Sequence, residues 1–482
     1  MGMRTAAARL GLGLAAASAR RDQKMMIKKI SSSSFSQFMR RSTTLAAAAD
    51  VSKMKRESKV KPKSESEMEL NKEKTLYLCF SELLTRSGGF DFCTNVIRPI
   101  KLSDVLSTTT DEDDAAAAVE LNIAAYKRSK LNLWYTNCSR LGSQILFAGG
   151  VRRKGPNVRS GPSIANREIC WFETRDPNPK FEVSSPRKTK IKSFTTGKDE
   201  VHMGEVDSKL YCMAHNSRHP CEPFEVLDPT ETDPKWRPLE APPFINEVTC
   251  DGFSAAFVEG SNNILGWRRD ESGVFAFDVT RPQKGWMESP SCLGNCLPFL
   301  AGAPSFIHHH HDPSDDGGGF QVMFTYDPDN APQIVTVSLM SNNCDSLQPM
   351  SKPLQLPELP YEFQTDDLND TSGTIFHFVN LGDQKVCLIL YKFFYRRIVD
   401  SDFYWRNKEE LRYNERNKGN LLLITFEYDI ISNTVDSSNS KSRLDIQCRL
   451  LGTRRFQYFS KQLRKSVPIW THDAYLSGAF LL

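Results

Sequence analysis

The sequence predicts an all-β chain of repeated four-stranded units packed radially into a β-propeller, preceded by a disordered basic tail. Three observations predict it: short apolar runs ending at Gly, Asn or an acid, the recurrence of those runs in pairs, and tryptophans with proline-containing exits at similar offsets. Runs this short suit strands rather than helices. The length of 482 residues fits one large all-β domain with tails. Hydrophobic residues at 39%, aromatics at 10%, and 27 Gly with 26 Pro describe a globular chain rich in turns, which excludes disorder throughout.

Residues 1–50 carry Arg4, Arg9, Arg20, Arg21, Arg40 and Arg41 among many Ala and Ser, with only Asp22 and Asp50 as acids. Arginine-rich, acid-poor chemistry of this kind suits a transit peptide, so a mitochondrial or chloroplast address is expected, with cytoplasm or nucleus as the alternative. The run Leu10–Ala19 is too short to span a bilayer, and no other run reaches the roughly 18 apolar residues a membrane helix needs, so no membrane partner is expected. Met25 offers a second start, which leaves translation of the first 24 residues open. Residues 51–74 alternate charges with almost no apolar payload and read as a linker; their Lys53–Lys63 cluster has a nuclear-import reading as well.

Charge is unevenly placed. The net +4 divides into about +10 before Thr75 and about −6 after it. A mildly acidic globular part lacks the footprint of a protein that neutralises many phosphates, so nucleic acid is not the expected partner. Of the 12 cysteines, Cys170, Cys212, Cys387 and Cys448 sit in apolar runs at irregular spacing, which predicts free buried thiols and a reducing compartment.

The propeller is expected over 75–482, with repeats clearest in 131–330. Thr75–Phe80 is strand-like and has no local partner, and 108–118 reads as an exposed loop. Then the pairs begin: Ile145–Gly150 with Ile169–Glu173, Lys209–Ala214 with Phe224–Pro229, and Phe253–Gly260 with Val274–Asp278; Phe320–Pro328 continues the series. Trp236 and Trp286 follow two of the second runs, and the period is roughly 45 to 70 residues, loops included. One four-stranded sheet cannot bury both faces alone, so such units must stack, with large aromatics filling the wedge between neighbours.

These residues resemble the kelch repeats of plant proteins, in which an apolar strand is followed by a segment like Phe224–Pro229, a Trp and a Pro-rich turn. Gly204–Phe244 matches best, and Gly149-Gly150 resembles the glycine doublet that closes the family's second strand. Ala214-His215 and Glu259-Gly260 depart from it. Further strands are read at Ile375–Val379, Val386–Tyr391 and Leu421–Tyr428. About five repeats after Leu131, plus unpaired strands at 75–100 and 471–482, predict six blades whose last is closed by both chain ends.

His308, His309, His310 and His311, with Asp312, Asp315 and Asp316, are the weak metal candidates, set in a low-complexity loop without visible support. Cys292 and Cys296 form a lone pair without a second at zinc-ribbon spacing, and Gly317–Gly319 lacks the following Lys-Ser/Thr of a phosphate cradle. Neither a G-x-S-x-G elbow nor an H-E-x-x-H helix occurs, so no catalytic residue and no cofactor are expected. Between 391 and 406, aromatics interleave with basic residues, and Tyr395, Arg396, Arg397, Tyr404, Trp405 and Arg406 are the candidate partner-binding set. The expected function is therefore a non-catalytic adaptor or scaffold binding a protein through blade loops. The alternative is an enzyme or carbohydrate-binding protein using the central channel. The resemblance allows an F-box before the propeller, but the runs at 75–111 are strand-like, which argues against one.

Overall fold

The computed structural model describes residues 74–482 apart from parts of the connections, among them 87–90, 108–118, 289–304, 310–319, 394–417 and 460–468; residues 1–73 lie outside the described residues. The transit-like tail and the linker therefore fall outside it. What is described is all-β, and six four-stranded units form a propeller.

Blade 1 takes its innermost strand from the end of the chain, Ile469–Leu481, followed outward by Thr75–Arg86, Asp91–Lys101 and Ala125–Arg128. Blade 2 runs from Asn137–Leu141 through Gln144–Ala148 and Cys170–Glu173 to Phe181–Val183, and blade 3 from Glu200–Val206 through Lys209–His215 and Phe224–Leu227 to Arg237–Pro238. Blade 4 comprises Phe253–Phe257, Asn263–Arg268, Val274–Asp278 and Trp286–Glu288; blade 5 comprises Ser305–His309, Phe320–Tyr326, Ile334–Ser341 and Met350–Gln355. Blade 6 holds Ile375–Gly382, Lys385–Phe393, Lys418–Asn433 and Arg443–Phe459, with Val119–Glu120 added in parallel to its outer edge. The innermost strands of neighbouring blades contact one another all the way round, so the ring is closed.

Alternating side chains on each strand give every blade two apolar faces, which only a neighbour on each side can bury. The consequence is one hydrophobic cluster per seam. Ile97 and Ile145 meet between blades 1 and 2, Leu146 and Val201 between 2 and 3, and Val226 and Phe253 between 3 and 4. Trp267 packs with Met323 between 4 and 5, Phe324 with Leu388 between 5 and 6, and Phe80 with Tyr391 between 6 and 1. Small residues set the closest approaches: a Cβ on Gly204 would lie 2.0 Å from Cγ of Phe257, on the next inner strand.

Closure is a matter of register. Leu76 faces Leu481, Leu78 faces Ala479 and Cys79 faces Gly478, and the ends are tied by N–H of Thr75 donating to the carbonyl of Leu482 at 2.9 Å and the reciprocal bond at 3.0 Å. Radial closure leaves each blade's inner edge short and turned toward the ring's centre, where it is protected from pairing with another chain. Across the same seam, Nε2–H of His377, on the inner strand of blade 6, donates to the carbonyl of Leu476 at 3.1 Å.

Burial lowers the pKa of His377 below its ordinary 6.5, with the Leu476 bond acting in the opposite direction. A histidine kept neutral when folded and free to protonate when unfolded adds stability above pH 6.5 that is lost as pH falls below it. Denaturant midpoints measured from pH 8 to 5 should therefore decline in the acid limb by more in the parent than in His377→Gln.

Candidate functional site

Because each blade has an even number of antiparallel strands, all inner strands run in one direction and the connections sort onto two faces. On the lower face three of the inner hairpins turn in two residues, at Gly142-Ser143, Asp207-Ser208 and Asp383-Gln384, the chain ends meet at Thr75 and Leu482, and the longer inner connection of blade 5 and the third-to-fourth strand connections start from the same face. The last two of these turns hold φ of 49° and 58°, and 49° and 57°, so they take the left-handed geometry of a two-residue hairpin without glycine. On the upper face lie every blade-to-blade crossing and the connections from second to third strand.

The upper face of blade 2 carries a small sheet of its own, Leu133–Trp134, Val151–Arg153 and Ser163–Ala165, whose Ile164 is 37% exposed. This platform is built from the glycine doublet. Gly149 and Gly150 take φ of +76° and +92°, turning the chain out of Gln144–Ala148. A Cβ on Gly149 would sit 2.7 Å from Val201. The N–H of Gly150 donates to the carbonyl of Asp199, and the side-chain amide of Asn166 donates to the carbonyls of Gly149 and Glu168 at 3.2 and 2.9 Å.

Beneath the platform lies a buried ion pair. Asn166 and Lys198 form a backbone bridge, and Nζ of Lys198 reaches Oε2 of Glu225 at 2.8 Å, both side chains at 0% exposure. The hydroxyl of Thr195 donates to Oε1 of Glu225 at 2.7 Å, and Nζ of Lys198 also donates to the carbonyl of Glu222 at 2.5 Å. The ammonium lies 5.3 Å from the centroid of Phe194, a ring packed 4.9 Å from that of Trp236. Burial pushes the thiol of Cys212 up to about 12 and raises that of Cys221, the Lys198 charge only partly offsetting this, so both are thiols at neutral pH. The cluster joins the platform's base to blade 3; its charges neutralise each other rather than face a ligand.

The two tryptophans play matching parts. Nε1–H of Trp236 donates to the carbonyl of Lys192 at 2.9 Å, and that of Trp286 to the carbonyl of Glu240 at 3.0 Å, each reaching the crossing that enters its own blade. Trp236 is buried between blades 2 and 3, and Trp286 packs on Phe224 and Phe277 between blades 3 and 4. A second repeated device precedes each: Asp228 and Asp278 accept from the N–H and hydroxyl of Thr230 and Thr280, at 2.9 Å to each N–H and 2.5 and 2.6 Å to the hydroxyls. These bonds from Thr230 hold the Asp228 carboxyl below its usual range.

The candidate partner set Tyr395, Arg396, Arg397, Tyr404, Trp405 and Arg406 lies outside the described residues, as do His310, His311, Cys292 and Cys296. The described strand ends that flank the two segments lie on opposite faces. Phe393 and Lys418 stand at the upper face, whereas His309 and Phe320 pair at the lower one, with His308 and His309 in the inner strand of blade 5. Among the described residues no group of three or more His, Cys, Asp or Glu is placed to hold a metal ion. No helix among them is long and apolar enough to cross a membrane. Sequence reasoning missed the Lys198–Glu225 pair. Glu225 was legible as an acid inside the apolar run Phe224–Leu227, but Lys198 sits in a polar crossing that offers no signal.

No family model matches the chain, and no curated protein matches it. Solved structures align at low similarity. Apo AztD from Citrobacter koseri aligns at 10% identity over 80% of this chain and 98% of its own, with a TM-score of 0.26. A NanB sialidase variant from Streptococcus pneumoniae aligns at 10% identity over 66% of this chain and 53% of its own, TM-score 0.30, and Hsv2 from Kluyveromyces lactis at 7% over 66% and 100%, TM-score 0.23.

Proposed function

We propose that this chain is a non-catalytic protein-interaction propeller, kelch-like in its repeat, that holds a protein partner on its upper face. The supporting observation is what the upper face gathers: the crossings, the platform of blade 2 and the strand ends that bracket 394–417. Loops on a rigid ring present side chains at fixed separations without ordering cost to the scaffold, which suits recognition. The kelch-like reading is supported by the paired Asp-Thr turns at 228 and 278 and the paired Trp anchors at 236 and 286. Residues 1–50 supply an organellar address in this reading, to mitochondrion or chloroplast, and imaging the full chain beside a version starting at Met54 tests that part separately.

The test of the face is comparative affinity purification. Ile164→Glu and the combined Tyr395→Ala, Arg396→Ala, Arg397→Ala chain should each lose a specific partner at least ten-fold while keeping the parent's thermal midpoint. The lower-face control Asp207→Asn should retain it. Equal capture by all chains contradicts the assignment.

A further inference from the structure

Blades 1 and 2 meet over two thiols. Cys79 lies on Thr75–Arg86 and Cys138 on Asn137–Leu141, both buried in the cluster formed with Ile97, Ile145, Phe147 and Phe172. Cys79 faces Gly478 across the closing strand pair, and a Cβ on Gly478 would stand 3.2 Å from Cβ of Cys138. Glycine at 478 thus leaves the space into which Cys138 packs, beside Cys79. Both cysteines border the same glycine within one buried cluster. Neither carries out any part of the function proposed above.

We propose that Cys79 and Cys138 are a disulfide site that staples blade 1 to blade 2 whenever the chain folds in the presence of a disulfide oxidant. Two cysteines that border one glycine in the same buried cluster are neighbours across the seam, and a disulfide needs their Cβ atoms to come within about 3.5–4.5 Å. The step balances with a small disulfide such as oxidised glutathione. One cysteine thiolate attacks it, releasing one glutathione thiol and leaving a mixed disulfide. The second cysteine then displaces the other glutathione, so two protons and two electrons pass from the pair to the oxidant.

Order of assembly makes the step possible. In the closed ring burial raises the Cys138 thiol well above its ordinary range, which leaves no thiolate to attack. In the open chain that constraint is absent, and both cysteines precede the closing strand Ile469–Leu481 by most of the sequence. The bond therefore forms before or during closure and is then sealed by Gly478 and its strand, resistant to reductants while the ring stays shut. In a reducing compartment the pair remains two thiols.

The experiment is refolding of the full chain from denaturant in glutathione buffers of opposite poise, followed by quenching, proteolysis and mass spectrometry without reduction. The oxidising arm should give one dominant cross-link, between the peptides bearing Cys79 and Cys138. That product should unfold at a higher denaturant midpoint, its unfolding constant lowered by about a hundred-fold or more for a loop of this size. Reductant added after denaturation should abolish the shift, and Cys79→Ser and Cys138→Ser should never show it. Recovery of both cysteines as free thiols from the oxidising arm, Cys79 joined to another cysteine in the folded product, or a cross-link that lowers the midpoint would each overturn the proposal.

Discussion

Removal of Ala474–Leu482 should abolish the folded ring rather than merely loosen its last blade. The missing residues pair with Thr75–Glu82 along almost the whole inner half of blade 1, so the backbone bonds of that strand are left open. Each is worth about 1 kcal/mol net, and an unmade buried one costs about 1–3 kcal/mol. Leu476, at 3% exposure, leaves the cluster that seals blades 6 and 1, and His377 loses its carbonyl partner. Summed over the strand, the loss exceeds the roughly 5–15 kcal/mol by which domains are stable. The truncated chain should show no cooperative thermal transition and should aggregate through the exposed edge of Thr75–Arg86. A soluble truncation with a sharp transition would show that the ring is not closed by its ends.

Glu225→Ala should be the most damaging single substitution among the described residues of blade 3. It leaves the Lys198 ammonium at 0% exposure without its carboxylate, a situation that costs about 3–5 kcal/mol. The sign of the double substitution is the informative part. Lys198→Met with Glu225→Leu removes both charges and fills similar volume, so it should regain most of the loss, because a buried pair is roughly matched by an apolar replacement. Urea midpoints for the four chains of this cycle measure the coupling. If Glu225→Ala costs under about 1 kcal/mol, water reaches Lys198 and the pair does not anchor the platform.

The six-blade all-β ring was legible because its signals are local. Apolar runs such as Lys209–Ala214 and Phe224–Leu227 mark second and third strands, where both faces are buried and the alternation merges into continuous hydrophobicity. Outer strands were much less visible: Arg237–Pro238 has both residues exposed and Phe181–Val183 none buried, so no apolar pattern marks either. The doublet at Gly149-Gly150 could be read from sequence since φ of +76° and +92° favours glycine. Asp207-Ser208 takes the same sign of φ without glycine, and its tight turn left no mark.

Long-range chemistry escaped the sequence for a different reason. Lys198 lies in the crossing that enters blade 3 while Glu225 lies on that blade's third strand, and Cys79 and Cys138 come from two different blades and meet across the seam between them. No spacing rule connects such residues. The partner-binding candidates have the opposite character: Tyr395, Arg396, Arg397, Tyr404, Trp405 and Arg406 stand out by residue type, while their flanking strands alone are described.

The most direct test of the upper-face assignment is site-specific photocrosslinking in the cell compartment the chain occupies. A photoreactive residue is placed singly at Ile164 and Arg396 for the upper face, and at Asp207 and Asp383 for the lower. The account predicts a shared cross-linked partner band from the two upper positions and none from the lower pair. The same band from Asp207 or Asp383, with nothing from Ile164 or Arg396, would contradict it.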